Sequence, residues 1–198
     1  MAFAEALARL PEITQVLAIP AALNPLKAAS TLLPDDLRWH MVRAALGRVP
    51  KVSVLDVELV RGAPSYSIET VHALHTLYPQ AAFDVALGWD AFLDLARWRG
   101  AEALLELAGL IVVPRSGAQG APEEFSEWVK VLPPPWVQRL KPAQPGVWCD
   151  SRGRTVLRCL AVRLPDVSGT CILSERRWDL VPAAARPLLL RHFGISPG

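Results

Sequence analysis

Lys27, Arg115, Ser168 and Thr170 bring cationic and hydroxyl groups to segments that follow runs with β-strand character. In open α/β sheets, ligands sit beyond the carboxyl ends of the strands. The stretches to interrogate are therefore those after Ile19, Leu55, Leu87, Val113 and Leu164. Ser168 and Thr170 open a helical stretch, where a hydroxyl either caps the helix or joins its unpaired N–H groups around a phosphate; both uses share one geometry. Lys27 and Arg115 read either as solvated charges or as functional cations. Trp98, at the end of an amphipathic helix, serves either the core or a ligand ring, and Asp90 can cap a helix. His40, His72, His75 and His192 carry neither triad nor metal spacing. Cys149, Cys159 and Cys171 fit neither a zinc site nor a disulfide framework, and their odd number predicts reduced thiols in a cytosolic compartment.

The elements that position these residues alternate. Residues 2–9 predict a helix with Phe3, Leu7 and Leu10 on one face. A short buried strand at 14–19 is stopped by Pro20, and 21–34 reads as a loop. Asp35 or Asp36 is expected to cap a helix to about Leu46, followed by a strand at 52–55 and a turn-rich loop at 61–65. Ser67 is expected to cap a helix to about Tyr78. A strand at 83–87, helices at 90–97 and 101–107, and a strand at 110–113 come next. Residues 116–152 are hard to read, with Pro133-Pro134-Pro135 among them; strand character returns at 156–164, and helices are predicted at 169–177 and 182–193. Strands alternating with helices of about ten residues predict βαβ units in an open α/β sheet.

Composition bounds the function class. The chain has 198 residues, 52% hydrophobic and 20% charged, which excludes a disordered chain and allows a real core. No uncharged apolar run approaches the roughly 18–20 residues that span a bilayer. Lys plus Arg is 21 against 19 Asp plus Glu, too balanced to signal a nucleic-acid partner. The start lacks a basic n-region and carries Glu5, so no export signal is expected.

One ordered series is specific. It comprises Glu58-x-x-Arg61-Gly62-Ala63-Pro64-Ser65-Tyr66-Ser67-x-x-Thr70, then Gly88-Trp89-Asp90, then Trp98, then Leu110-Ile111-Val112-Val113-Pro114-Arg115-Ser116-Gly117. It resembles the bacterial nicotinate-nucleotide adenylyltransferases, with their E-x-x-R-x-x-P-S-Y-T-x-x-T, I-G-x-D, Trp and L-I-V-x-x-R-P-G. Ile19-Pro20 through Pro25-Leu26-Lys27 is similar to the family's strand and P-P-H-K loop, and Arg38-x-x-Met41 to its R-x-x-M helix. Asp166-Val167-Ser168-Gly169-Thr170-Cys171-Ile172 is similar to its I-S-S-T-x-I-R phosphate turn. Leu180-Val181-Pro182 and the last helix resemble its closing segment. The resemblance covers nearly the whole chain except roughly 118–155, which it leaves as an irregular insertion in one nucleotidyltransferase-like domain over 1–198.

The resemblance implies a Rossmann-like nucleotidyltransferase fold, with an open parallel sheet and helices on both faces. It implies transfer of AMP from ATP to nicotinate mononucleotide, giving deamido-NAD and pyrophosphate in NAD biosynthesis, with Mg²⁺ accompanying ATP. By resemblance Trp98 stacks on the pyridine ring, while the Tyr66-Ser67 backbone and Arg99, the residue after Trp98, receive its carboxylate. Gly88 lets backbone approach the nucleotide, Asp90 accepts from ribose or polarises the site, and Lys27, Arg115, Ser168 and Thr170 meet ATP phosphates. ATP and nicotinate mononucleotide are the implied partners, a cytoplasmic location is expected, and neither nucleic acid nor a membrane is.

Three departures stand out. The family's G-G-(T/S)-F-(D/N)-P-x-H-x-G-H signature is absent, and with it the catalytic histidines; Leu173 stands where the phosphate turn has Arg; Leu26 and Ser67 replace the His of P-P-H-K and the Thr of P-S-Y-T. The missing signature would supply the first, central strand, whose loss leaves two interior strands with unpaired N–H and C=O rows. The favoured expectation is a chain truncated at its N-terminus, with residues 1–198 alone turning over little substrate. The alternatives are a nucleotidyltransferase for another phosphate acceptor, such as phosphopantetheine or a cytidylyl acceptor, or a degenerate nucleotide-binding remnant without catalysis.

Overall fold

The computed structural model describes residues 1–23, 33–62, 64–114, 128–160, 162, 167 and 169–196. They fall into two compact units: Met1–Ser65 with the C-terminal stretch from Asp166, and Tyr66–Pro165.

In the first unit, β1 (Val16–Ala18) pairs in parallel with β2 (Val52–Val54), in the register Val16 to Val52. Helix α1 (Ala2–Ala8) precedes β1, and α2 (Asp35–Leu46) connects the two strands. Pro34, not Asp35 or Asp36, is the N-cap of α2; both aspartates lie in its first turn, where their charge suits the helix dipole. Helix α3 (Val57–Arg61) occupies a stretch where no helix was expected, and Gly62 at φ +84° ends it. The apolar centre of this unit is Val181, Ala185 and Leu189, with Met41, Ala44 and Ala45 of α2 packed against them.

The second unit holds a five-stranded sheet of order β3-β4-β7-β6-β5. Strands β3 (Asp84–Gly88), β4 (Gly109–Val113) and β7 (Thr155–Cys159) run parallel, joined first by α5 (Trp89–Leu93), a 3₁₀ turn at Leu95–Arg97 and α6 (Ala101–Leu107). Every residue of β4 is buried, as an interior strand between two parallel neighbours should be. Phe92, Leu95, Leu105, Val156 and Leu157 pack into the same core with Trp128, Trp136 and Trp148. Helix α4 (Ser67–Leu77) lies before β3 and rests on α6.

Part of the stretch that resisted reading is regular. Helix α7 (Pro134–Arg139) starts on the proline run, since the first turn of a helix needs no N–H from its first residues. Strands β5 (Lys141–Gln144) and β6 (Val147–Cys149) then form an antiparallel hairpin on β7. Pro142 is tolerated because β5 is an exposed edge strand, and Gly146 turns the hairpin at φ +75°. The parallel sheet thus carries an antiparallel extension that alternation alone did not reveal.

The C-terminal helices are shorter than expected. Helix α8 (Gly169–Ser174) gives way to a turn in which Arg176 adopts φ +54°, and α9 (Arg186–His192) begins after the turn at 183–185. Among the described residues, β1 has no partner beyond β2 and β3 none beyond β4, so each leaves one edge row without a strand. No helix among them is long and apolar enough to cross a membrane.

Candidate functional site

Helix α4 begins where an extended residue meets a helical one. Tyr66, at φ −110° and ψ 126°, is the N-cap, and its carbonyl accepts from the Thr70 N–H at 3.2 Å and the Thr70 hydroxyl at 3.4 Å. Ser67 is therefore the first helical residue and not the cap. The N–H groups of Ser67 and Ile68 precede the first intrahelical donor and have no acceptor within the helix.

The turn that carries Trp98 docks on this helix start. Gly100 adopts φ +69°, and a Cβ there would stand 3.4 Å from the Ile68 side chain, so a glycine lets the turn sit close. Trp98 is half-buried and packs with Ile68 around Val71, Leu104 and Ala108. It also touches the main core. Arg99 lies over the Tyr66 ring, 4.7 Å from its centroid, and its Nη1 is 3.3 Å from Oε1 of Glu69. Four sequence candidates, Tyr66, Ser67, Trp98 and Arg99, thus come together. Glu69, one α-helical turn away, was not singled out by the sequence; its role arises from a partner thirty positions downstream.

At the end of β3, Gly88 is the N-cap of α5, with φ −74° and ψ 158°. Any residue could adopt that conformation, and a Cβ there would meet no atom within 4 Å. Asp90 is exposed in the first turn of α5, so it does not cap the helix.

The opposite end of the same strands is crowded at Gly109. An Oδ1 atom of Asp84 fills the space that a Cβ on Gly109 would need, and the Thr155 carbonyl would be 3.0 Å from it. Arg154 donates to the Leu105 carbonyl at 2.7 Å and to Asp150 Oδ2 at 3.2 Å. Desolvation pushes the Asp84 carboxyl up, with Arg154 opposing it. At Asp150 desolvation is outweighed by donation from the backbone N–H groups of Arg154 and Arg152 and the Arg154 side chain, which holds the carboxyl low.

In the first unit, Arg38 donates to the carbonyls of Ala21, Ala22 and Leu33 and pairs with Asp35. Buried Ser65 accepts from the Ala22 N–H at 2.9 Å, and its own N–H donates to Leu23 at 2.8 Å. Arg38 and Ser65 thus fix the chain that leaves β1, a role visible in sequence only as membership of the two motifs. Thr170 is exposed in α8, and Leu173 packs on the Val181–Leu189 cluster, which explains an apolar residue at that position. Lys27, Arg115 and Ser168 lie outside the described residues. His75 is structural, bonded to the Leu107 carbonyl and edge-on to Phe83. Burial raises the Cys159 thiol to about 12. Among the described residues, no three His, Cys, Asp or Glu side chains cluster to hold a metal.

No protein-family model matches the chain. A probable nicotinate-nucleotide adenylyltransferase of Bacteroides thetaiotaomicron is 31% identical over 135 residues, which are 68% of this chain and 67% of that protein. The chain belongs to the nicotinate-nucleotide adenylyltransferase family. Another such protein, from Geotalea uraniireducens, is 38% identical over 107 residues, 54% of this chain and 50% of its own length. The chain thus spans about half the length of several curated relatives in the family. Among solved structures, Plasmodium falciparum nicotinic acid mononucleotide adenylyltransferase complexed with NaAD matches 95% of this chain and 85% of its own. The TM-score is 0.60 at 14% identity. That likeness bears on the fold, which is the Rossmann-like nucleotidyltransferase fold of the family.

Proposed function

We propose that the chain forms the mononucleotide-binding part of a cytoplasmic enzyme that transfers AMP from ATP to nicotinate mononucleotide. The phosphate oxygen of the mononucleotide attacks the α-phosphorus of ATP, the bond to the β-phosphate oxygen breaks, and pyrophosphate leaves with deamido-NAD formed. Mg²⁺ enters with the ATP phosphates as part of the substrate. The observation that carries this reading is the docking of the Trp98–Gly100 turn on the first turn of α4, with Gly100 against Ile68, Trp98 half-buried in the same apolar cluster and Arg99 over the Tyr66 ring. In this reading Trp98 offers its exposed part to the pyridine ring, and the backbone at Tyr66-Ser67 and Arg99 receives the carboxylate. The open space at Gly88 admits the nucleotide, Asp90 accepts from a ribose hydroxyl, and Thr170 meets phosphate. Holding two anionic reactants in line supplies most of the catalysis, because effective molarities for oriented groups reach about 10⁵–10⁸ M.

The catalytic histidines of the family's G-G-x-F-x-P-x-H-x-G-H segment are not among residues 1–198. The test supplies ATP, Mg²⁺ and nicotinate mononucleotide to residues 1–198 and to the chain extended upstream in frame, with pyrophosphate release as the readout. Turnover only by the extended protein is expected. No release by either, with ATP binding retained, would replace the enzyme by a binding remnant, a reading that Leu173 favours by filling a core position where the family's phosphate turn has Arg. Release only with phosphopantetheine or a cytidylyl acceptor would reassign the substrate.

A further inference from the structure

Trp128 stands in the stretch after β4, outside any periodic pattern, yet its side chain is buried. It meets the start of α5. The Trp89 ring lies 4.2 Å from the Trp128 ring, centroid to centroid, tilted by 40°. Phe92 completes the group, 5.7 Å from Trp89 and 6.4 Å from Trp128. Trp128 and Phe92 are buried members of the main core of the second unit, and half-buried Trp89 packs at its margin. Trp89 is also the first residue of α5, set between Gly88 and Asp90.

Helix α5 has five residues, little more than one turn, and no side chain caps its start. A helix that short depends on tertiary contacts for its position. Gly88 brings no side chain to that task, whereas Trp89 seats the start of the helix on Trp128 and Phe92 anchors it further along. In the function proposed above, the two neighbours of Trp89 face the nucleotide: Gly88 gives it space and Asp90 accepts from its ribose.

We infer that Trp128 is a positioning residue, which through the Trp89 ring sets the Gly88–Asp90 backbone where the ribose of the mononucleotide needs it. The inference rests on the proposed mononucleotide site. Trp128 touches no substrate in this reading; it acts through one aromatic contact. Removing its indole opens a cavity against Trp89, and surrounding groups relax into such a cavity. A ring at the margin of the core has room to move, and the carboxylate next to it in the chain moves with it. A tryptophan that served the core alone would have no such effect. Trp148 supplies the comparison, because it is buried in the same core but stands on β6, three strands away from β3.

The test is calorimetric binding of nicotinate mononucleotide to the 198-residue chain, below each variant's unfolding transition, for wild type, Trp128→Leu, Trp128→Phe, Trp89→Leu and Trp148→Leu. W128L is expected to lower affinity about 5-fold, W128F to restore most of it, and W148L to leave it within about 2-fold. W89L, the milder change for folding, should match W128L, and the double variant should lose no more than either alone, because both act through one contact. Circular dichroism supplies a second readout: two indoles this close couple their transitions, so wild type should show an exciton couplet that W89L and W128L both abolish. Unchanged affinity in W128L and W89L, an equal loss in W148L, additive losses in the double variant or a wild type without the couplet each overturn the positioning role and leave the site standing. Absence of mononucleotide binding to wild type overturns the proposed site, and the inference with it.

Discussion

The two ends of β3 and β4 treat their glycines in opposite ways. At the amino end, Gly109 is required by its neighbours, because a side chain there would run into Asp84 and the Thr155 carbonyl. At the carboxyl end, Gly88 is required by nothing within the described protein, neither a left-handed conformation nor a close neighbour. At the amino end Arg154 also pairs with Asp150 and bonds to the Leu105 carbonyl. The other keeps space beside a helix start. A glycine that internal packing explains belongs to stability; in the function proposed above, the space at Gly88 admits the nucleotide.

Substitutions can break this contrast. The largest effect on stability is expected from Arg154→Met, which removes a partner from Asp150, the Leu105 carbonyl and the Asp84 carboxylate together. A loss of about 2–4 kcal/mol in urea unfolding should accompany unchanged mononucleotide binding. Gly109→Ala should cost about 1–3 kcal/mol through overpacking: the Asp84 side chain has to swing aside, and the Thr155 carbonyl, 3.0 Å from the new Cβ, is held by the sheet. Gly88→Ala should alter stability by less than about 0.5 kcal/mol and weaken nucleotide binding at least several-fold. Equal binding by Gly88→Ala and wild type would end the functional half of the comparison. Trp98→Ala cuts across both halves: about 2 kcal/mol of stability should go with the core contacts, and affinity for the mononucleotide should fall far more than affinity for ATP.

The smallest effect lies in pH. Asp84 has its carboxyl raised above 3.8 in the fold, so the fold binds this proton more tightly than the unfolded chain does. Its contribution to stability therefore declines as pH rises through 3.8 toward the raised folded value. Asp150 has its carboxyl lowered, so its contribution is full above 3.8 and is lost as pH falls below that. Unfolding curves from pH 3 to 7 should show Asp150→Asn flattening the acid limb and Asp84→Asn steepening it.

Much of this was legible in the residues, and the remainder has identifiable causes. Leu110-Ile111-Val112-Val113 announces a buried strand because four apolar residues in a row need burial on both faces. Lys141-Pro142-Ala143-Gln144 announces nothing, since β5 is exposed and takes its shape from the neighbour it pairs with. Trp136 was hidden by the prolines around it, although it is among the most buried side chains and carries the Arg139 guanidinium 4.3 Å above its ring. In the site, Tyr66, Ser67, Trp98 and Arg99 were visible through motif order, whereas Glu69 and Arg38 act through partners that only folding supplies. Ser67 reads as a cap, and Asp90 can read as one, because their residue types favour caps. The backbone placed Tyr66 and Gly88 there, since helix onset follows the last extended residue and not the best hydroxyl or carboxylate.

Arg38 has a consequence for how this protein could be altered. By bonding to the carbonyls of Ala21 and Ala22 on one side and of Leu33 on the other, it ties the chain that leaves β1 and the lead-in to helix α2 to a single helix position. A substitution at position 38 therefore loosens both segments at once, which makes this one side chain a rivet through two layers of the chain.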